Sequence, residues 1–193
     1  MEYQAKSFEG LLGLEGLTDQ LLSNHFTLYQ GYVTNTNKVL GEISRLISED
    51  KAATPEFAEL KRRLGWEWNG MRLHELYFEG LSKTPKEFDP ASVVGQKIAA
   101  EFGSYDSFLS QLKATASMRG IGWVVLYFDR AADKLVISWI NEHDAGHLAG
   151  AEPLMVLDVF EHAYMIDYGL KRADYLNTLV KAIDWTVIDS RLK

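Results

Sequence analysis

The stretch from Leu17 to Ile47 contains no proline and only two glycines, Gly31 and Gly41, and nothing else in the chain restricts its fold so much. Within it Leu21, His25, Leu28, Tyr32, Val39, Ile43 and Ile47 recur at helical spacing. That spacing predicts one long helix, with Thr18 or Ser23 as its cap and a glycine as the place for any kink. A helix of this length must lay its apolar stripe against a partner. The partner follows directly: Thr54-Pro55-Glu56-Phe57 puts a Thr cap before a proline at the first helical position. A second helix is expected over 55–82, with Gly65 and Gly70 as points where it could bend or break. Two long helices and a short connection predict an antiparallel hairpin.

Beyond the hairpin the pattern changes. The segment 82–90 (SKTPKEFDP) combines two prolines with charge and reads as a linker, dividing the chain into domains 1–85 and 86–193. Short helices are expected over 91–102 and 104–118, the second capped by Ser104. The run 122–128 (GWVVLYF) reads as a strand, 129–134 as a hairpin turn, and 135–140 as a second strand. The segment 153–159 reads as a third, buried strand, and 160–193 as helical with one break near Gly169. The predicted class is α+β: an N-terminal α-hairpin packed on a C-terminal half with a three-stranded antiparallel sheet.

Composition removes several functions. The chain has 193 residues, no cysteine, and 20 Lys+Arg against 27 Asp+Glu, a net charge of -7. Without cysteine there is no disulfide, thiolate nucleophile, Cys-type zinc site or iron–sulfur cluster. Any metal is left to His, Asp or Glu. The acidic balance argues against a nucleic-acid partner, which demands a basic face. No apolar run approaches the ~18 residues of a membrane span, and the first 16 residues lack the pattern of a signal peptide. A cytoplasmic location is the expectation.

Five histidines remain to be placed: His25, His74, His143, His147 and His162. The pattern Asp158-x-x-x-His162 follows an apolar strand, which carries a carboxylate inward, where desolvation is costly unless a cation compensates. An Asp cap followed by a histidine one turn later is the structural alternative. His25 and His74 fall on the two arms of the hairpin and can face each other across it. Three imidazoles and one carboxylate suit Fe, Mn or Zn, and spacing alone does not choose among them.

The segment 158–164 (DVFEHAY) closely resembles the DVWEHAYY signature of the iron/manganese superoxide dismutases. Further stretches resemble that family in order: 32–37 (YVTNTN), 74–81 (HELYFEGL), 103–108 (GSYDSF) and 120–126 (GIGWVVL). The resemblance spans roughly residues 15–190. It implies dismutation of superoxide at one Fe or Mn ion per chain, placed between the two halves, with His74, Asp158 and His162 as ligands. For the first-helix ligand, the family's histidine stands eight residues before the tyrosine matched by Tyr32, and that place is Asn24. A one-residue deletion would give the role to His25, which is the expected ligand.

The same resemblance implies roles around the metal. Tyr32 and His143 would be the proton-donating pair, His143 standing where manganese-type enzymes carry a glutamine. The iron-type glutamine position is Gly70, which has no side chain. Phe78 and Phe160 stand where tryptophans are usual. The family's funnel histidine has no counterpart: its place is Tyr29 counted from His25, or Leu28 counted from Tyr32. Glu161 and Tyr164 match residues that couple two sites in a homodimer, and Arg172, with Arg72 as a second candidate, matches a residue that steers superoxide. No role is assigned to His147. Competing expectations are a metal-binding member of the fold with weak or no dismutase activity, a non-enzymatic helical interaction protein, and a zinc hydrolase, for which no glutamate is well placed as a general base.

Overall fold

The computed structural model describes residues 2–192. Helix α1 (Asp19–Ser48) is continuous through Gly31 and Gly41, neither of which has another side chain pressed against it. Each glycine costs about 1 kcal/mol relative to alanine, but the stripe running from Leu21 and His25 through Tyr29 and Val33 to Ile43 and Leu46 is buried throughout. That burial outweighs the loss. Thr18 is the cap, its hydroxyl accepting from the Leu21 N–H at 3.2 Å, a bond whose loss typically costs about 1 kcal/mol. Ser23 lies inside the helix.

Helix α2 (Pro55–Glu79) starts at the expected Thr54 cap, passes Gly65 and Gly70 without a break, and ends three residues before the expected 82. The two helices are antiparallel: Arg45 near the end of α1 meets Glu56 at the start of α2, while His25 and His74 meet at the other end. Helices α3 (Val93–Phe102) and α4 (Tyr105–Ala116) are capped by the side chains of Ser92 and Ser104.

Strands β1 (Gly122–Asp129), β2 (Lys134–Asn141) and β3 (Glu152–Asp158) form a sheet in the order β2-β1-β3, antiparallel throughout. The central strand β1 is buried on both faces, which is why it reads as an unbroken apolar run rather than an alternation. The register sets Trp123 opposite both Ile140 and Asp158. The second residue of the central strand and the last residue of β3 are thus neighbours at one end of the sheet.

The C-terminal segment differs from its expected form. A 3-10 turn (Glu161–Ala163) precedes α5 (Met165–Tyr168), α6 (Arg172–Leu179) and α7 (Trp185–Ser190). A second interruption at 180–184 joins the one at Gly169, because this backbone pairs with the segment after α2. Ser82 N–H donates to Ala182 O and Asp184 N–H to Gly80 O, both at 2.9 Å. Arg191 completes the seam, donating to Leu154 O at 2.7 Å and Leu76 O at 2.9 Å. With α2 packed on β3 and α1 on the 3-10 turn, the segments bearing His25, His74, Asp158 and His162 converge. Among the described residues, no helix is long and apolar enough to cross a membrane.

Candidate metal centre

The four residues come from four elements: His25 from α1, His74 from α2, Asp158 from the end of β3, and His162 from the turn that follows. One candidate ligand atom from each lies within 4.8 Å of all the others. Asp158 Oδ2 is the hub, 3.2 Å from His25 Nε2, 3.2 Å from His162 Nε2 and 3.7 Å from His74 Nε2. Its other oxygen accepts from the Phe160 N–H at 2.8 Å, and its main-chain carbonyl accepts from the Tyr175 hydroxyl at 2.9 Å. The first bond fixes the carboxylate's direction and the second holds the backbone that carries it.

The charge states of Asp158, His25 and His74 suit the binding of a cation. Burial pushes the Asp158 carboxyl up, but His162 and His25 beside it pull harder the other way and hold it well below the ordinary carboxylate range. Burial pushes the His25 imidazole down, against the pull of Asp158. Burial likewise depresses His74 strongly, with His25 adding to the effect. Neutral imidazoles around an ionised carboxylate are the form that binds a cation.

His74 carries the sharpest indication. Its Nδ1 lies 2.6 Å from the Gly70 carbonyl, which can only accept, so Nδ1 bears the proton and Nε2 the lone pair. That Nε2 is buried with no hydrogen-bond partner and faces a carboxylate oxygen. Two acceptors facing each other out of water cost several kcal/mol unless a cation stands between them. Three nitrogens and one carboxylate oxygen fit Fe, Mn or Zn, so the donor set suits the group that the family resemblance implies.

On the first helix the two candidate positions face different ways. In the unbroken α1, His25 and Tyr32 lie seven residues apart, two turns on one face. Asn24 points elsewhere, exposed and accepting from Gln20 Nε2 at 2.8 Å.

Tyr32 and His143 are brought together, the tyrosine hydroxyl lying 2.7 Å from His143 Nε2. The Trp123 indole N–H donates to His143 Nδ1 at 3.0 Å, so in the neutral ring Nε2 carries the proton and donates to Tyr32. The tyrosine's own proton is then free for another acceptor. His143 is fully buried, stacked on Phe160 at 4.7 Å and edge-on to Trp66 at 4.8 Å. Burial pushes His143 down to about 4 and Tyr32 up to about 12, Asp158 and Glu67 adding to the latter. The iron-type glutamine position is filled by a neighbour: a Cβ on Gly70 would come within 2.5 Å of the Tyr32 ring.

The remaining candidates are dispersed around this centre. Phe78 packs on His25 at 4.8 Å between ring centroids and Phe160 on His162 at 5.2 Å. Tyr29 is buried and turned away, its hydroxyl donating to Glu75 at 2.9 Å and accepting from the Lys6 N–H at 3.0 Å. Leu28 is at the surface. Glu161 is exposed, while the buried Tyr164 has its hydroxyl 3.2 Å from Arg172 Nε. Arg172 also donates to the carbonyls of Met118 and Gly120. Arg72 is bound to Glu75. Sequence reasoning passed over Trp123 as a donor and the Gly70 carbonyl as a proton acceptor. Trp123 had a signal, since it stands near the start of the central strand, where that strand meets Asp158.

Comparison with known proteins finds relatives over most of the chain. Residues 90–191 match the family model described as iron/manganese superoxide dismutases, C-terminal domain. The chain is 33% identical over 185 residues to the superoxide dismutase [Fe] of Aquifex pyrophilus, covering 93% of this chain and 86% of the relative. It is 32% identical over 168 residues to the superoxide dismutase [Fe] of Saccharolobus solfataricus, covering 86% and 80%. It is 31% identical over 173 residues to superoxide dismutase [Mn] 2 of Haloferax volcanii, covering 88% and 83%. Similarity of this extent through both the hairpin and the sheet leaves one conclusion: the chain belongs to the iron/manganese superoxide dismutase family.

Proposed function

We propose that this protein disproportionates superoxide to oxygen and hydrogen peroxide at one iron or manganese ion per chain, held by His25, His74, Asp158 and His162. The observation that carries the reading is the convergence of these four residues around the unpartnered Nε2 of His74. Bound there, iron or manganese supplies a one-electron couple able to oxidise one superoxide and reduce the next.

The protein's own task is proton supply, because two superoxide anions need two protons to leave as oxygen and peroxide. Tyr32 holds a proton on its hydroxyl, raised by burial so that it persists through the neutral range. His143 holds that hydroxyl from one side and leaves its proton available on the other. The aromatic surround of Trp66, Phe160 and Trp123 keeps bulk water off this pair. Arg172 is proposed to steer the anion toward the centre. Its bonds to Met118, Gly120 and Tyr164 support a fixed position for that charge.

The homodimer is part of this reading. The surface exposes Met118, whose carbonyl Arg172 binds, and Leu170, the latter at 89%, and Glu161 is exposed as contact with a second copy would require. Such exposed apolar side chains favour burial against a partner. Light scattering on the purified chain tests the dimer, and a monomer at micromolar concentration would overturn it. The division at 85/86 and the cytoplasmic location are also proposed, the first supported by the prolines of 82–90 and the second by a chain without cysteine.

A slower dismutase is the second reading, favoured by Leu28 at the surface and Tyr29 turned inward. Direct superoxide decay per metal ion, after separate reconstitution with iron and with manganese, decides between them. Fast decay with either metal establishes the enzyme. Slow decay with both at full occupancy supports the second reading, and failure to bind either metal would overturn both.

A further inference from the structure

His147 lies outside the metal centre, yet its ring is bonded at both nitrogens. Nε2 is 2.9 Å from the main-chain carbonyl of His143, and Nδ1 is 2.8 Å from the Tyr127 hydroxyl. A carbonyl only accepts, so Nε2 carries the proton; in the neutral ring Nδ1 then accepts from Tyr127. Tyr127 belongs to the central strand, and burial pushes its phenol up to about 12, so it stays a donor. The rigid sheet therefore reaches through His147 to the backbone of His143.

That backbone needs support. His143 sits in a tight reversal in which Asn141 and Ala145 exchange hydrogen bonds, the N–H of Asn141 donating to Ala145 O at 2.7 Å. Glu142, just before it, adopts a left-handed φ of 52°, which a non-glycine residue holds only where its surroundings enforce it. The side chain of His143 must meet Trp123 on one edge and Tyr32 on the other, two bonds whose geometry tolerates little displacement.

The geometry points to His147 as a positioning residue: clamped by Tyr127, it fixes the carbonyl of His143 and so the reach of that ring to Tyr32. It never touches the metal ligands, and its part in turnover passes through His143. The inference rests on the proposed role of His143 in ordering Tyr32.

The test uses the full chain as His147→Leu and His147→Gln. Leucine removes both bonds at similar size, whereas glutamine can accept from Tyr127 and donate to the carbonyl. In protein labelled with ¹⁵N at histidine and loaded with zinc as a diamagnetic occupant, His143 is expected as the Nε2–H tautomer in the wild type and in His147→Gln. In His147→Leu its ring proton should exchange with solvent at least about tenfold faster, with turnover per iron or manganese ion about tenfold lower. Glutamine should restore both to within about threefold. Unchanged ring-proton exchange and turnover in a folded, metal-loaded His147→Leu would overturn the inference. Should that variant not fold, Tyr127→Phe carries the same expectation and the same refutation. Because ring-proton exchange is read without dismutation, a wild type that proved inactive would sink the proposed function while leaving this test intact.

Discussion

His143 Nε2 stands 2.7 Å from the Tyr32 hydroxyl, while Nδ1 of the same ring accepts the Trp123 indole proton at 3.0 Å. The direction of this three-membered chain is thereby set, from tryptophan through histidine to tyrosine. His143→Ala removes the middle member without touching a ligand. Turnover per metal ion should fall by about 10- to 100-fold, with the reduction potential shifted and metal content retained. Pulse radiolysis reads the turnover, a redox titration the potential and elemental analysis the metal content, and full turnover at full occupancy would remove His143 from the mechanism.

Trp123→Phe keeps an aromatic ring in the same place and deletes only the N–H. His143 is then free to exchange tautomers, and part of the population would present a lone pair to Tyr32. A loss of about tenfold in turnover is expected, smaller than for His143→Ala, with thermal stability lowered by the unpaired Nδ1. Equal turnover in Trp123→Phe and wild type would show that the indole contributes packing alone.

The assignment of the first-helix ligand rests on two adjacent residues that behave differently. His25 is buried beside Asp158, and Asn24 is exposed beside Gln20. Asn24→Ala should bind metal as the wild type does. His25→Ala should lose it, with affinity reduced by at least about 100-fold. Competition with a chromogenic chelator measures both, and the reverse pattern would move the ligand to Asn24.

Gly70 is held by two constraints. Its carbonyl takes the His74 Nδ1 proton, and its missing side chain is the space in which the Tyr32 ring lies. A methyl group there would sit 2.5 Å from the ring. Gly70→Ala should destabilise by about 1–3 kcal/mol and displace Tyr32, lowering turnover while His74 still binds metal. Denaturant unfolding and superoxide decay together test this; a fully active, fully stable variant would mean the ring has room elsewhere.

Much of this was legible in the sequence, for physical reasons that differ by element. The Thr18 and Thr54 caps, the long apolar stripe of α1 and the run of β1 are local signals, and local signals survive in a single sequence. The break at 180–184 was not legible, because it arises from pairing with Gly80 and Ser82 a hundred residues away. Around the candidate site, histidines and an aspartate announce themselves by residue type. The Gly70 carbonyl, the Phe160 N–H and the tautomer of His143 do not, since they depend on which atoms meet. Gly70 read as a vacancy, whereas the space is taken by a residue from the other helix.

Buried imidazoles make the metal-free protein sensitive to acid. An unfolded histidine titrates near 6.5, and burial lowers folded His143 to about 4. The unfolded chain therefore takes up this proton first as pH falls, so the contribution of His143 is complete above about pH 6.5 and is lost progressively toward pH 4. A shift of this size corresponds to roughly 3 kcal/mol. His25 and His74 are also depressed by burial and act in the same direction. Asp158, held low by His162 and His25 against its burial, adds a loss of the same sign only below its unfolded value near 3.8. Urea unfolding of the metal-free chain should thus show stability falling by at least about 3 kcal/mol between pH 7 and pH 4. His143→Gln cannot titrate there, and its profile should be shallower than the wild type's by about the His143 share. A wild-type profile that stayed flat to pH 4.5 would mean that His143 is hydrated, and with it the dry surround on which the Tyr32 proton depends would have to be given up.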